Sequence, residues 1–151
     1  MVTVKKRVPG IEEAILERFV RRACRAVKLA GAVDVLITND REMQILNKRY
    51  RSEDVTTDVL SFPAAPGLPG NLAGDLAISA NIASGNAKDF GHEVVEEIQI
   101  LILHGVLHLA GYDHERDSGQ MARKERRLRA ELGLPMTLID RTGEEPGGRK
   151  R

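Results

Sequence analysis

Apolar and polar residues follow two different periods along the chain, which predict strands and helices in turn. Short runs with β-strand character predict strands at residues 2–4, 33–37, 58–62 and 75–79. Apolar residues at helical spacing predict helices at residues 11–31, 39–46, 80–89, 93–110 and 118–132. Because strands and helices alternate at first and the chain then turns helical, we expect an α+β fold. Its mixed sheet would have about four strands and would pack against several helices.

The length and the apolar content predict one domain. A chain of 151 residues that is 42% hydrophobic supplies one core, so residues 1–140 are predicted to form a single domain. The last eleven residues, 141–151, contain no apolar anchor and are predicted to be a disordered tail. The single cysteine excludes an intramolecular disulfide, and the apolar stretch at 98–110 is too short to span a bilayer. These features predict a cytoplasmic location and no membrane partner.

The overall charge is nearly balanced, but it is unevenly distributed. The formal net charge of +1 argues against a uniformly cationic RNA coat, and the 3% aromatic content argues against a base-stacking platform. Residues 1–30 nevertheless carry eight Lys or Arg against three Glu. Basic residues gather on the predicted first and last helices, namely Arg18, Arg21, Arg22, Arg25, Lys28, Arg123, Lys124, Arg126, Arg127 and Arg129. They form either strips that engage phosphate or ordinary solvated helix faces.

Three of the four histidines lie within eleven residues, in the pattern HxxxHxxGxxH. On a helix, His104 and His108 lie one turn apart on the same side, so both imidazoles can bind one ion. A chain reversal at Gly111 would bring His114 back as a third ligand. Imidazole ligands favour one Zn²⁺ over magnesium or calcium, whereas ligand type alone leaves nickel, copper and iron open. The lack of a nearby cysteine favours an open catalytic site, although Asp117 or Glu115 remains a possible further ligand.

The histidine spacing equals that of the metzincin zinc proteases, in which a glutamate follows the first histidine and activates water. Here that position is Gly105. A zinc-dependent peptidase lacking the usual glutamate is therefore one alternative.

Four ordered motifs resemble those of the YbeY family, single-strand-specific endoribonucleases that act in bacterial rRNA maturation and ribosome quality control. The strongest is HGVLHLAGYDH at 104–114, which is similar to the family signature. Upstream are LNKRYR at 46–51 followed by Asp54, TDVLSFP at 57–63 and GDLAIS at 74–79. Met121 and Glu125 also stand where the last helix of the family usually carries Met and Glu.

The resemblance implies a function and a set of site residues. It implies a zincin-like helix, with His104, His108 and His114 as ligands of a single zinc ion. Arg51 would assist RNA cleavage, and His114 would also take part in the reaction. The implied activity is cleavage of single-stranded RNA, including maturation of the 3′ end of small-subunit rRNA. The implied partners are single-stranded rRNA, ribosomal particles, and a ribosomal protein or assembly GTPase. The second alternative to the nuclease, beside the peptidase, is a non-catalytic rRNA-binding assembly factor in which zinc only stabilises the fold.

Several residues carry a structural alternative beside the functional one. Arg51 is either a phosphate contact or a solvated surface arginine, and Asp58 either orients a site residue or caps a turn. Asp113 is likewise an acceptor for a ligand or a turn residue. His92 is expected to face solvent near the start of the fourth helix, and Gly74 allows either a close backbone approach or a turn.

Overall fold

The computed structural model describes residues 1–51, 57–65 and 71–135, and for Arg51 it describes the backbone only. Within these residues the strands are β1 (Val2–Val4), β2 (Ala32–Thr38), β3 (Val59–Pro63) and β4 (Leu72–Ser79). The helices are α1 (Glu13–Val27), α2 (Asp40–Arg51), α3 (Ala80–Phe90), α4 (Val94–Leu109) and α5 (Gln120–Leu132). The elements predicted from the periodicity are all present, and their order along the chain is the predicted one.

The four strands form one mixed sheet in the order β1-β2-β4-β3. β1, β2 and β4 are parallel, so that Val35 of β2 lies between Val2 and Leu76 in the register. β3 runs antiparallel to β4 at one edge, with Leu60 opposite Ala77. The prediction of an α+β fold with a four-stranded mixed sheet is confirmed.

The two faces of the sheet are covered unequally. α1 and α4 pack on one face, where the inward residues of β2, such as Val35 and Ile37, join the main core. α4 is buried almost all round from Ile100 to Leu107, which explains its continuous apolar sequence. α2 covers part of the other face with a small cluster built on Met43, Leu60 and Ala77. The helix that carries two of the three clustered histidines is therefore the most firmly packed one.

Two glycines allow α4 to lie close against the sheet. A Cβ on Gly105 would lie 2.6 Å from the buried side chain of Leu76. A Cβ on Gly74 would lie 2.6 Å from the carbonyl oxygen of Phe62 and 2.7 Å from the side chain of Leu109. Gly74 therefore provides the close backbone approach that was one of its two interpretations.

The main boundary difference concerns α2, which continues through the polar residues 47–51 instead of ending at residue 46. Lys, Arg and Tyr are tolerated on an exposed helical face, and Asn47 is buried, so the helix keeps an inward side beyond its last apolar residue. At the start of α4, Glu93 and Glu96 form a reciprocal capping box. No helix in the described part of the chain has the length and apolar character needed to cross a membrane.

Candidate metal centre

The C-terminal end of α4 and the turn after it bring three histidine rings together. His104 and His108 lie one helical turn apart, and their ring centroids are 4.8 Å apart. Gly111 has a φ of 101°, a left-handed conformation that suits glycine and reverses the chain after the helix. The ring of His114 consequently lies 5.3 Å from that of His104 and 5.2 Å from that of His108. One ligand nitrogen from each histidine lies within 4.8 Å of the others, a group able to hold a metal ion.

Hydrogen bonds determine which ring nitrogens of the histidines remain available to bind a metal. Nδ1 of His104 lies 2.8 Å from Oε1 of Glu125, and Nδ1 of His108 lies 3.0 Å from the carbonyl oxygen of Tyr112. Because these oxygens accept, both Nδ1 atoms donate, and the Nε2 atoms keep the lone pairs that a metal requires. Nδ1 of His114 is buried and has no hydrogen-bond partner among the described residues. The donor set therefore suits a transition metal ion.

The electrostatics of the site favour neutral imidazoles. Burial, together with the nearby rings of His104 and His114, lowers the pKa of His108 to about 4. The pKa of His114 is also lowered, first by burial and then by His104. Neutral imidazole is the form that binds metal, so the His108 and His114 rings are ready to bind one at neutral pH without losing protons first.

Glu125 of α5 is the residue that orients His104. Its Oε2 accepts a 2.7 Å hydrogen bond from Nη2 of Arg129, while Oε1 faces His104. Burial alone would raise the pKa of Glu125, but its interaction with His104 and then with the guanidinium of Arg129 outweighs the burial and lowers that pKa to about 2. The carboxylate is thus ionised and fixed on both sides, as in the carboxylate–histidine arrangements around metal sites.

The family resemblance indicates a glutamate at position 125 but assigns it no role. In the sequence, Glu125 differs from its neighbours only as the one acidic residue in the basic run Arg123 to Arg127. Its partner His104 lies 21 residues away along the chain, so no local pattern joins the two.

The nearby aspartates have structural roles. The carboxylate of Asp117 accepts from the backbone N–H groups of Gly119 and Met121, and so caps the start of α5. Oδ1 of Asp113 accepts from the N–H of Glu115, which makes Asp113 a turn residue. Over the described ranges, the histidine group includes no carboxylate, so neither Asp117 nor Glu115 completes it.

Strand β3 contacts both the end of α2 and the helix α4. The ring of Tyr50 packs edge-on against Phe62, with centroids 5.3 Å apart. The neighbouring Ser61 points to the other side, where its Oγ donates to the carbonyl oxygen of Gly105 at 3.3 Å. Ser61 is therefore a structural hydroxyl. The side chain of Arg51, the predicted catalytic arginine, lies outside the described residues.

His92 does not face solvent, and that prediction is wrong. Its side chain is 5% exposed, and Nε2 lies 2.7 Å from Oε1 of the fully buried Glu97. Oε2 of Glu97 accepts from Nδ2 of Asn86 at 3.0 Å. The prediction extended the helical spacing of α4 back to His92. In the structure His92 precedes the helix and lies in the turn between Gly91, which has a left-handed φ of 75°, and the capping residue Glu93. The turn directs the ring inward.

Comparison with known proteins supports the family resemblance. The model of the family described as Endoribonuclease YbeY matches residues 3–133. A protein of Koribacter versatilis named Endoribonuclease YbeY is 51% identical over 142 residues, which cover 94% of this chain and 91% of the relative. One from Solibacter usitatus with the same name is 49% identical, covering 93% and 92%.

A solved structure shows the same fold. The solution structure of a Thermotoga maritima protein superposes with a TM-score of 0.58 at 28% sequence identity. The match covers 87% of this chain and 89% of that one.

Proposed function

The chain belongs to the YbeY family of endoribonucleases, and from this premise we propose that it cleaves single-stranded RNA with the help of one metal ion. It is a hydrolase of phosphodiester bonds in RNA that acts in rRNA processing. We assign to it the maturation of the 3′ end of small-subunit rRNA and a part in ribosome quality control.

The convergence of three histidines on one point is the observation that supports the metal site best. His104, His108 and His114 would hold the ion, and three imidazoles favour Zn²⁺. A zinc ion held at this site would supply a Lewis acid for a phosphodiester oxygen and would lower the pKa of a bound water. Glu125 and the carbonyl of Tyr112 keep the His104 and His108 rings in the orientation that binding needs.

Arg51 would contact the phosphate at the cleavage site through its planar guanidinium group. The support for this role is the position of Arg51 in the chain. Arg51 follows Tyr50, which packs on Phe62, and the adjacent Ser61 bonds to Gly105 beside His104. His114 would act both as a ligand and in the reaction, since it alone of the three has no hydrogen-bonded Nδ1 among the described residues.

The wider assignments are proposals of the same kind. The substrate is RNA, and we propose single-stranded rRNA in ribosomal particles, with a ribosomal protein or assembly GTPase as partner, in the cytoplasm. Residues 1–140 would form the functional domain. The predicted disordered tail at 141–151 lies outside the described residues.

The peptidase alternative lacks support because the matching relatives are named endoribonucleases, and residue 105, where metzincins carry the water-activating glutamate, is a glycine. That glycine packs against Leu76 in the core. A purely structural zinc would be expected to have four protein ligands, whereas this group has three among the described residues.

Cleavage of labelled single-stranded RNA tests the proposal. We expect the zinc-loaded protein to cut single-stranded RNA and to spare duplex RNA and DNA. His114→Ala and Arg51→Ala should each lower the rate at least about 100-fold while circular dichroism shows an intact fold. Arg49→Ala, at an exposed arginine on the same helix, is the matched control and should keep the activity. Equal cleavage by all four proteins would mean that the activity comes from elsewhere.

A further inference from the structure

One face of α1 carries an exposed row of positive charge. Its members are Arg18, Arg21, Arg22, Arg25 and, at the helix end, Lys28, all of them exposed. At 100° and 1.5 Å per residue, they fall within an arc of about 120° and extend along about 15 Å of the axis. The opposite side of α1, with Leu16, Phe19 and Val20, is buried in the core.

These cations are not neutralised by neighbouring acids. In the described part of the chain, none of the five forms an ion pair or a side-chain hydrogen bond. The nearest acids on α1 have other partners, since Glu13 pairs with Arg7 and Glu17 accepts from the N–H of Val2. Five like charges on one face repel each other, and a polyanion relieves that repulsion.

A cleft lies beside the row. It has a volume of about 430 Å³ and is lined by Arg21, Arg25 and Glu17 of α1 and by residues at the start of β1 and β2. The Glu17 carboxylate accepts from the N–H of Val2, and the two arginines supply the positive charge. Two guanidinium groups at the border of a concave surface can hold phosphate oxygens in bidentate fashion. The row therefore has both the charge and the shape to hold a phosphodiester backbone.

We propose that this face of α1, with its cleft, binds the backbone of the substrate RNA at positions remote from the bond that is cut. The inference rests on RNA being the substrate. α5 packs against α1 and also carries Glu125, the hydrogen-bond partner of His104, so one helix joins the α1 face to the histidine group.

An anionic membrane surface fits the row less well than RNA does. A helix that binds membranes presents large apolar side chains beside its cations. The apolar side of α1 packs into its own core. Among the exposed large hydrophobic residues of the described chain, only Met1 lies at the cleft, whereas Ile45, Tyr50 and Leu72 lie on other elements.

Fluorescence anisotropy with 2′-O-methyl RNA of 6 and 30 nucleotides tests the proposal, with gel electrophoresis to show that the RNA stays intact. We expect the zinc-loaded wild type to bind the 30-mer at least about tenfold more tightly than the 6-mer. Arg21→Glu/Arg25→Glu should lose most of this gain, and the slope of log affinity against log salt should fall by about 1.4 for two lost phosphate contacts. Arg21→Gln/Arg25→Gln, which only removes charge, should lose part of it.

The matched control is Lys6→Glu/Lys88→Glu, which changes the net charge equally at exposed lysines outside α1. Equal loss in this control and in the α1 variant would overturn the proposal, because long-range charge alone would then explain it. Tighter binding of the wild type to phosphatidylserine vesicles than to RNA, lost in the α1 variant, would overturn it in favour of a membrane. Failure of the wild type to cleave RNA at all is a separate outcome that refutes the proposed function instead.

Discussion

Two buried histidine–glutamate pairs lie at opposite ends of α4, and they have nearly the same local geometry. His92 lies 2.7 Å from Glu97, and His104 lies 2.8 Å from Glu125. Each glutamate also accepts from a second side chain, Asn86 in the first pair and Arg129 in the second. Distance and burial therefore do not distinguish the two pairs.

The surroundings of the two histidines differ. The ring of His92 stacks on Phe90, with centroids 6.3 Å apart, and this contact stabilises the turn between α3 and α4. The ring of His104 faces two further imidazoles, those of His108 and His114. A buried histidine–carboxylate pair is thus a structural feature by itself, and it becomes part of a candidate metal site where other imidazoles converge on it.

Removing one histidine from each end should have the largest and most contrasting effects. We expect His108→Ala to weaken zinc binding by more than roughly 100-fold, because a site with two ligands remains. His92→Ala should retain the zinc but lower the free energy of unfolding by about 1–3 kcal/mol, because Oε1 of the buried Glu97 loses its His92 partner. Metal analysis after gel filtration and urea denaturation measure the two effects. Loss of zinc from the His92→Ala variant, with zinc retained by His108→Ala, would contradict the proposed difference between the two pairs.

Removal of the metal should destabilise the histidine end specifically. With free zinc at 100 times its dissociation constant, binding adds about 2.7 kcal/mol to the stability of the folded protein. A chelator should therefore lower the melting temperature of the wild type by about 5–10 °C. The His108→Ala variant serves as the reference, and its melting temperature should not respond to chelator. A response of equal size in both proteins would show that the metal binds elsewhere.

Two glycines next to the two pairs allow a test of packing. Gly105 follows His104, and Gly105→Ala should lower the free energy of unfolding by about 2 kcal/mol because its Cβ would meet Leu76. Gly85 precedes Asn86, and its Cβ would meet nothing within 4 Å. Gly85→Ala should raise that free energy by up to about 1 kcal/mol, since alanine favours the helix. Thermal and urea unfolding check both, and a Gly105→Ala protein as stable as the wild type would show that Leu76 or α4 can shift to make room for the Cβ.

The smallest effect is expected from replacing the glutamate of each pair with glutamine. Glu125→Gln should weaken zinc binding about tenfold, because the oriented His104 loses its ionised acceptor. Glu97→Gln should leave zinc affinity unchanged. Competition with a chromophoric chelator measures both affinities, and equal values for the two variants would remove the distinction between the pairs.

The sequence predicted those parts of the fold and of the histidine cluster that depend on local spacing. The i, i+4 histidines and Gly111 predicted the cluster at the end of α4, and the apolar periods predicted the sheet and helices. The orientation of His104 depends on Glu125, a contact between elements far apart in sequence. The burial of His92 depends on a tight turn at Gly91, and an extrapolated helix axis could not show it. Contacts of that kind are fixed by tertiary packing.

Stoichiometric reconstitution tests whether one zinc ion, held by the three histidines, makes the protein active. Metal-free protein is titrated with zinc while cleavage of single-stranded RNA is followed. Cleavage should rise with zinc and stop rising at one ion per chain, whereas His108→Ala should stay inactive throughout. Full cleavage by the metal-free protein, or recovery of His108→Ala at the same zinc ratio, would contradict this role of zinc.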